Sequence, residues 1–263
     1  MRVTVAPRVS EARALARESR ETAPASPRAV SRPPSITPLF RPIVDLHTGV
    51  AFAYAAIFRG PFGDEDATAA FQEAAALKTA GKIGRTLRDR LFDTCPAGAV
   101  VVPLQRAELN DSWLVRPDDP LYAWDNVAYV EITMPAIAEM KHAKSILAEM
   151  RSRGVRLVLA GVGVGRGALR GMAELAPDLV ALHPDLTSEL ESAGSMQRIA
   201  AGVVRECIAA GARVIADGVG SFGAMCAARD AGAHYARGDS FGLPASPPPR
   251  YDCARLNGRR TRR

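Results

Sequence analysis

Five charged or imidazole side chains stand at or just after the ends of short apolar runs, where they could share one site. Glu131 lies near the end of one of these runs, and Asp217 and His183 follow two others. Two carboxylates and an imidazole are donors that could hold one cation. Arg59 and Arg237 follow two further runs, and a guanidinium can bind phosphate or guanine through paired hydrogen bonds. The five are therefore candidate binding residues, although polar groups bonded only to loops or water, or a structural salt bridge at Arg59, would give the same pattern.

The elements that must position these residues alternate along the chain. Strand-like runs followed by helical stretches are typical of parallel βα units, and this many units in one chain favour a TIM-like (β/α) barrel over an open sheet. In such a barrel the carboxyl ends of the strands surround one functional face. The predicted helices span residues 66–94 (with a break near Gly81), 135–153, 167–175, 186–210 and 221–231. The predicted strands are Leu39–Val44, Ala51–Phe58, Ala99–Val102, Val127–Ile132, Val155–Leu159, Leu179–Leu182, Val214–Ile215 and His234–Ala236.

The composition predicts three regions. Residues 1–37 are rich in Pro, Ser and Arg, which indicates a disordered leader. Residues 38–245 form the predicted barrel domain. Residues 246–263 begin with a proline run and continue with arginines, which indicates a disordered basic tail.

Motifs in the barrel region resemble the EAL domain family, bacterial phosphodiesterases that linearise cyclic di-GMP. The motifs are LFRPIVDLHTG at 39–49, AAIFR at 55–59, VEIT at 130–133, VIADGV at 214–219 and GDSFGLP at 238–244. Each is weakly specific alone, but their order and spacing together are typical of the family. The resemblance implies the EAL type of α/β barrel, with a site for two Mg²⁺ or Mn²⁺ ions and a cyclic dinucleotide at the mouth.

Most of the residues that the resemblance assigns to chemistry are missing. Glu131 keeps the family's Glu, Asp217 shortens another Glu, Arg59 keeps an arginine that contacts the dinucleotide in the family, and Arg237 replaces a Gln. The positions where the family's ligands, catalytic lysine or site carboxylates are lost are Ala55, Pro103, Ala160, Gly161, Ala181, His183 and Gly220. Side chains without donor atoms cannot bind a metal ion. We therefore expect no Mg²⁺ or Mn²⁺ cofactor and no catalytic residue, with Glu131 and Asp217 as remnants of the metal site.

These losses favour a non-catalytic domain over an enzyme. The resemblance implies a pseudo-phosphodiesterase that regulates cyclic di-GMP-related signalling by binding another protein, because degenerate members of the family work in this way. A receptor that binds cyclic di-GMP through Arg59, Glu131 and Arg237 without hydrolysing it is the alternative. An active phosphodiesterase is the least favoured hypothesis. A homodimer is also compatible with the resemblance, since EAL domains often pair.

The net charge of +6 does not favour a specific nucleic-acid partner. Residues 1–37 hold seven Arg and three Glu, and residues 246–263 hold six Arg and one Asp, so the region between carries net negative charge. The terminal arginines lack the interleaved aromatic side chains on which bases stack. The four cysteines form no C-x-x-C pair, and no secretory or membrane-spanning run is present. We therefore expect a cytoplasmic protein with no transmembrane segment.

The glycine-rich stretch 161–167 permits one further hypothesis. Such a loop between a strand and a helix can bind phosphate. The register of a nicotinamide-dinucleotide motif is only partly met, because Ala168 stands where the third glycine would be. We favour instead a loop from which the metal-binding aspartates were lost.

Overall fold

A computed structural model describes residues 36–60, 64–95, 98–109, 112–138, 143–163, 166–249 and 251. Eight strands in these ranges close into a barrel in sequence order, which confirms the predicted TIM-like fold. The predicted leader lies outside the described residues except for its last two. No helix in the described ranges is both long enough and apolar enough to cross a membrane. The strands are β1 (Thr37–Asp45), β2 (Ala51–Arg59), β3 (Ala99–Pro103), β4 (Ala128–Thr133), β5 (Arg156–Val162), β6 (Leu179–Leu182), β7 (Arg213–Asp217) and β8 (Tyr235–Arg237).

One of the eight strands does not pair in parallel with its neighbours. β2 to β8 pair in parallel, whereas β1 is antiparallel to both β2 and β8. Residues 46–50 connect β1 to β2, and a connection this short permits only a hairpin, because a parallel crossover needs about a dozen residues. As a consequence, the amino end of β1 lies at the carboxyl ends of its neighbours.

The helices follow the predicted order, and two of the predicted helices are interrupted within the described residues. Lys78 has a φ of 55° and separates α1 from α2, so the break precedes the predicted one at Gly81. Gly194, with a φ of 93°, separates α6 from α7. The helices are α1 (Asp64–Ala76), α2 (Ala80–Thr94), α3 (Met134–Ala138), α4 (Ala143–Ser152), α5 (Arg166–Leu175), α6 (Pro184–Glu191), α7 (Ser195–Ala209) and α8 (Phe222–Asp230).

Alternating strand residues build two separate cores. One set points outward and packs under the helices, as Val100 and Val130 do. The other set points inward, because successive side chains of a strand face opposite sides of the sheet. The barrel interior is filled by Ile43, Ala53, Ala55, Val101, Tyr129, Val158, Ala160, Leu179, Ala181, Ile215 and Tyr235. Two residues beyond each inward side chain comes the next inward position, and at the carboxyl ends these positions surround the mouth.

A fully buried ion cluster fixes the long connection between β3 and β4 onto α2. We call Arg88, Glu108 and Asp119 the buried triad. Arg88 donates from Nε and Nη2 to Asp119 at 3.1 and 2.7 Å, and from Nη1 to Glu108 at 3.1 Å. All three side chains are at most 1% exposed. Burial raises the pKa of Glu108, and the Arg88 charge opposes that rise. Gly84 leaves room for the cluster, since a Cβ there would lie 1.6 Å from Glu108 Oε2.

The first residues of the predicted tail, which begins at residue 246, still contact the barrel. Ala245 pairs with Phe40 through two backbone hydrogen bonds, and the hydroxyl of Tyr54 donates to the carbonyl of Pro249 at 3.1 Å. This segment packs along the outside of β1 and β2, whose short hairpin brings no helix of its own. The rest of the predicted tail, 250 and 252–263, lies outside the described residues.

Candidate functional site at the barrel mouth

Most of the predicted site residues end their strands at one mouth of the barrel. Glu131, Asp217 and Arg237 each lie two positions beyond an inward-facing residue, so they face the space inside the mouth. The parallel pairing sets Asp217 directly opposite Arg237 on the neighbouring strand. The structure therefore brings together the two remnant carboxylates and the arginine predicted to lie near them.

These three residues form one ion network, which we call the mouth clamp. Arg237 donates from Nη1 to Glu131 Oε2 at 2.5 Å and from Nη2 to Glu131 Oε1 at 3.0 Å. The same Nη2 donates to Asp217 Oδ2 at 2.8 Å. The side chains of Arg237, Glu131 and Asp217 are 10%, 16% and 21% exposed. The guanidinium thus lies between the only two carboxylates that survive among the positions predicted for the metal site.

The guanidinium of Arg237 stays charged in the clamp. Burial alone would lower the pKa of Arg237, but the charges of Glu131 and Asp217 outweigh burial and raise that pKa above its ordinary value. Arginine is protonated in proteins under ordinary conditions even without such help. The clamp can therefore be opened by changing a carboxylate or the side chain, but not by deprotonating the guanidinium.

A close backbone approach positions the arginine. The N–H of Val219 donates to the carbonyl of Arg237 at 3.0 Å. Gly238 follows with a φ of 156°, and a Cβ there would lie only 2.3 Å from the Val219 carbonyl oxygen. Only glycine fits this contact, which draws the ends of β7 and β8 together and holds Arg237 beside Asp217.

The positions where family ligands are lost supply no donors to the mouth. Ala55, Ala160 and Ala181 are buried on inward positions, Pro103 ends β3, and Gly220 is exposed after β7. Gly161 has a φ of 73° at an irregularity in the pairing of β5 with β6. In the described ranges no three His, Cys, Asp or Glu side chains converge as metal ligands would. The residues present do not fit the two-metal site that the resemblance implies.

His183 and Arg59 lie at the mouth but outside the clamp's hydrogen bonds. His183 begins α6 as its N-cap, where Nδ1 accepts from the N–H of Asp185 at 3.3 Å, and its side chain is 51% exposed. Its position does not combine with Glu131 and Asp217 into the predicted three-ligand cation site. Arg59 is exposed at the end of β2. Arg237 was predicted as its cationic partner for a ligand, but the structure commits Arg237 to the two carboxylates.

Two further charged residues at the mouth were missed in the sequence. Arg41 lies on an inward position of β1, two residues before Ile43, and donates from Nη2 to Asp239 Oδ1 at 3.1 Å. Its side chain is 24% exposed and that of Asp239 is 68% exposed. The Nε of Arg41 is buried, and no described residue accepts its hydrogen. The alternation of Arg41 with Ile43 and the short connection after β1 were both readable signals, because a hairpin turns the amino end of β1 toward the mouth.

The fold and its mouth identify the class, and comparison with known proteins gives the family. The EAL domain model matches residues 26–244, so the chain belongs to the EAL domain family. No curated protein sequence is significantly similar to the chain.

Three solved structures illustrate the structural likeness. The Klebsiella pneumoniae BlrP1 calcium/cyclic di-GMP complex is 20% identical with a TM-score of 0.71, over 88% of this chain and 60% of that one. The FimX EAL domain from Pseudomonas aeruginosa bound to cyclic di-GMP is 18% identical with a TM-score of 0.67, over 80% and 91%. The Xanthomonas citri FimX EAL domain in complex with cyclic di-GMP is 16% identical with a TM-score of 0.65, over 80% and 88%. The present chain therefore spans about three fifths of BlrP1. At these identities the likeness shows the fold alone.

Proposed function

We propose that this chain is a non-catalytic EAL domain that acts as a protein-interaction module in cyclic di-GMP-related signalling. The mouth clamp is the observation that carries the proposal. A divalent cation that used Glu131 and Asp217 would have to displace a buried guanidinium held by three hydrogen bonds. Breaking such a pair leaves a charge without its partner in a poorly solvated place, which is unfavourable.

The loss of donor atoms supports the same conclusion independently. Two-metal catalysis requires several oxygen ligands that hold both ions and activate a water. Ala55, Pro103, Ala160 and Gly161 offer no side-chain oxygen at the positions that the resemblance assigns to ligands. Ala181 replaces the lysine that would supply a cation beside the nucleophile. Restoring any one of these residues would not rebuild the set.

The signalling context is supported by the family and by its solved members. The structures of BlrP1 and FimX named above contain cyclic di-GMP. A degenerate domain that keeps this fold keeps a surface through which a partner can be engaged without chemistry. The cytoplasmic location, the absence of a metal cofactor and the homodimer stay predictions.

A hydrolysis assay tests the proposal directly. We expect purified protein with cyclic di-GMP and either Mg²⁺ or Mn²⁺ to yield no linear dinucleotide above a protein-free control, measured by liquid chromatography. Glu131→Gln is the matched variant, because it removes the one family carboxylate that is retained. Metal-dependent product in the parent protein that disappears in Glu131→Gln would show that the domain is an enzyme.

A metal-independent receptor for cyclic di-GMP is the second candidate. Arg41 and Arg59 favour it, since both lie at the mouth and a guanidinium binds phosphate through paired hydrogen bonds. Isothermal titration in the presence of a metal chelator separates the two candidates. A dissociation constant of about 1 μM or less, equivalent to about −8 kcal/mol, that weakens in Arg59→Ala would establish a receptor. No heat up to about millimolar nucleotide, where affinity is only about −4 kcal/mol, would leave the interaction module.

A further inference from the structure

The amino-terminal opening of the barrel, at the opposite end from the mouth clamp, carries two arginines. Arg156 begins β5 and Arg213 begins β7. Each lies two residues before an inward-facing side chain, Val158 or Ile215, so both occupy inward-facing positions at this opening. Both residues are exposed, and among the residues that the structure describes no carboxylate forms an ion pair with either. Two cationic groups are therefore present here without a charged partner.

Each arginine donates to the hydroxyl of a tyrosine from the barrel interior. Arg156 Nη1 lies 3.3 Å from the hydroxyl of Tyr129, and Arg213 Nη1 lies 2.8 Å from that of Tyr235. The two tyrosines are 3% and 4% exposed, but their hydroxyls reach the exposed arginines and so lie at the edge of the interior. Each hydroxyl oxygen accepts in these bonds, so its own hydrogen is left to donate, and no described residue accepts it.

Aromatic packing brings the two arginine–tyrosine pairs together. The ring of Phe52 stacks on that of Tyr235 with centroids 4.0 Å apart, and its centroid lies 6.1 Å from that of Tyr129. One aromatic ring therefore contacts both tyrosines, which fixes their rings beside each other at the opening. We call Arg156, Arg213, Tyr129 and Tyr235 the amino-end donor cluster.

Two carboxylates near the cluster are held by backbone N–H groups instead of by the arginines. Asp45 pairs with Tyr235 between β1 and β8, and its Oδ1 accepts from two N–H groups of the following turn at 2.8 Å each. Asp178 Oδ2 accepts from the N–H of Leu157 at 2.9 Å. Although the barrel domain as a whole is mildly acidic, the two guanidinium groups are thus bonded to neutral hydroxyls. Two cations and two O–H donors without an acceptor favour a ligand that carries negative charge and several acceptor oxygens.

We propose that the amino-end donor cluster binds a tetrahedral oxyanion, either free phosphate or the phosphate group of a small molecule. The anion accepts from the hydroxyls of Tyr129 and Tyr235, and from N–H groups of the two arginines that the hydroxyls leave unused. Phosphate fits better than a carboxylate, because it offers more oxygens to four donor side chains. The site lies at the other end of the barrel from the mouth, so the inference does not depend on the proposed interaction module.

Calorimetric titration of the full chain with sodium phosphate tests the inference, with sodium chloride of equal ionic strength as the blank. We expect saturable binding with a dissociation constant of about 1 mM or lower. Sulfate should compete with phosphate, because the cluster offers only donors and the anion needs no proton of its own. Glycerol phosphate titrated in parallel distinguishes the source of the anion. Tighter binding than free phosphate assigns the site to an organic phosphate, and equal or weaker binding assigns it to the free ion.

Conservative variants locate the anion. Tyr129→Phe and Tyr235→Phe each remove one hydroxyl but keep the ring that packs against Phe52, so both proteins should fold. Each should weaken phosphate binding by about tenfold, since one hydrogen bond to a charged acceptor is lost. Arg213→Gln should weaken it by about tenfold or more, because a charge-assisted contact is lost and the residue is exposed enough to be changed without unfolding.

Two matched controls change the same residue types away from the cluster. Tyr54→Phe removes a hydroxyl that donates to the carbonyl of Pro249 outside the barrel, and Arg205→Gln removes an exposed cation of α7. Both should change the affinity for phosphate by less than about twofold. The inference is overturned by no saturable heat up to about 10 mM phosphate, by phosphate that sulfate cannot displace, or by unchanged affinity in the folded tyrosine and arginine variants of the cluster.

Discussion

Replacing the clamp arginine is the sharpest test of how the mouth is held together. Arg237→Gln removes the charge and leaves a shorter polar side chain, so Glu131 and Asp217 lose their common cation. Breaking a fully buried ion pair costs about 3–5 kcal/mol. Water reaches both carboxylates here, whose side chains are 16% and 21% exposed, so we expect about 2–3 kcal/mol. In a domain of this size that lowers the melting temperature by about 4–12 °C.

Differential scanning calorimetry at neutral pH measures the loss, and urea unfolding gives the corresponding free energy. Arg205→Gln is the control, because this exposed arginine of α7 should change stability by less than about 0.5 kcal/mol. Adding Asp217→Asn to Arg237→Gln should recover part of the loss, since one carboxylate then needs no cation. A folded Arg237→Gln protein that melts within about 1 °C of the parent would refute the argument that the clamp stabilises the mouth.

Three further predictions concern cation binding at the mouth clamp, the buried triad and Asp45. Mn²⁺ should stabilise Arg237→Gln but not the parent protein, and a higher melting temperature of the variant would show this. At a tenfold excess of Mn²⁺ over its dissociation constant, the gain in the free energy of unfolding is about 1.4 kcal/mol. Equal shifts of the melting temperature in both proteins would show that Arg237 excludes no cation. Arg88→Met in the buried triad should cost about 3–5 kcal/mol in urea unfolding, and a loss below about 1 kcal/mol would mean that the triad is not coupled. Burial raises the pKa of Asp45, but hydrogen bonds from the backbone N–H groups of Thr48 and His47 outweigh it and lower that pKa. A folded-state pKa below the unfolded one gives stability that is present above the unfolded value, about 3.9, and is lost as pH falls through the folded value. The stability advantage over Asp45→Asn should therefore disappear in urea titrations between about pH 5 and pH 2; an advantage that is constant over this range would contradict the assignment.

Much of the fold could be read from local patterns, because each strand and helix has its own period. The apolar runs predicted all eight strands, including the short runs at Val214–Ile215 and His234–Ala236 that the structure places in β7 and β8. The break between α1 and α2 was predicted near Gly81, whereas the break before α7 depends on the backbone conformation of Gly194, which the apolar pattern does not report. The pairing direction of β1 was also readable, because the predicted strands leave only residues 45–50 between them, too few for a parallel crossover.

The candidate site, like the fold, was only partly predictable from the sequence. Residue types alone determined that Ala55, Pro103, Ala160 and Gly161 cannot ligate a metal, because a missing donor atom is missing in every fold. Whether a surviving charge is available to a ligand depends on its neighbours, and those come from distant parts of the chain.

What the sequence by itself determined is therefore the barrel, its membership in the EAL family and the loss of the ligand set. Only the tertiary structure decided that Arg237 is bound by Glu131, 106 residues away, and by Asp217, and so is committed within the protein. The same closure left the Nε of Arg41 without an acceptor among the described residues. The physical reason is that hydrogen bonds form at about 3 Å between groups that only the closed barrel brings together.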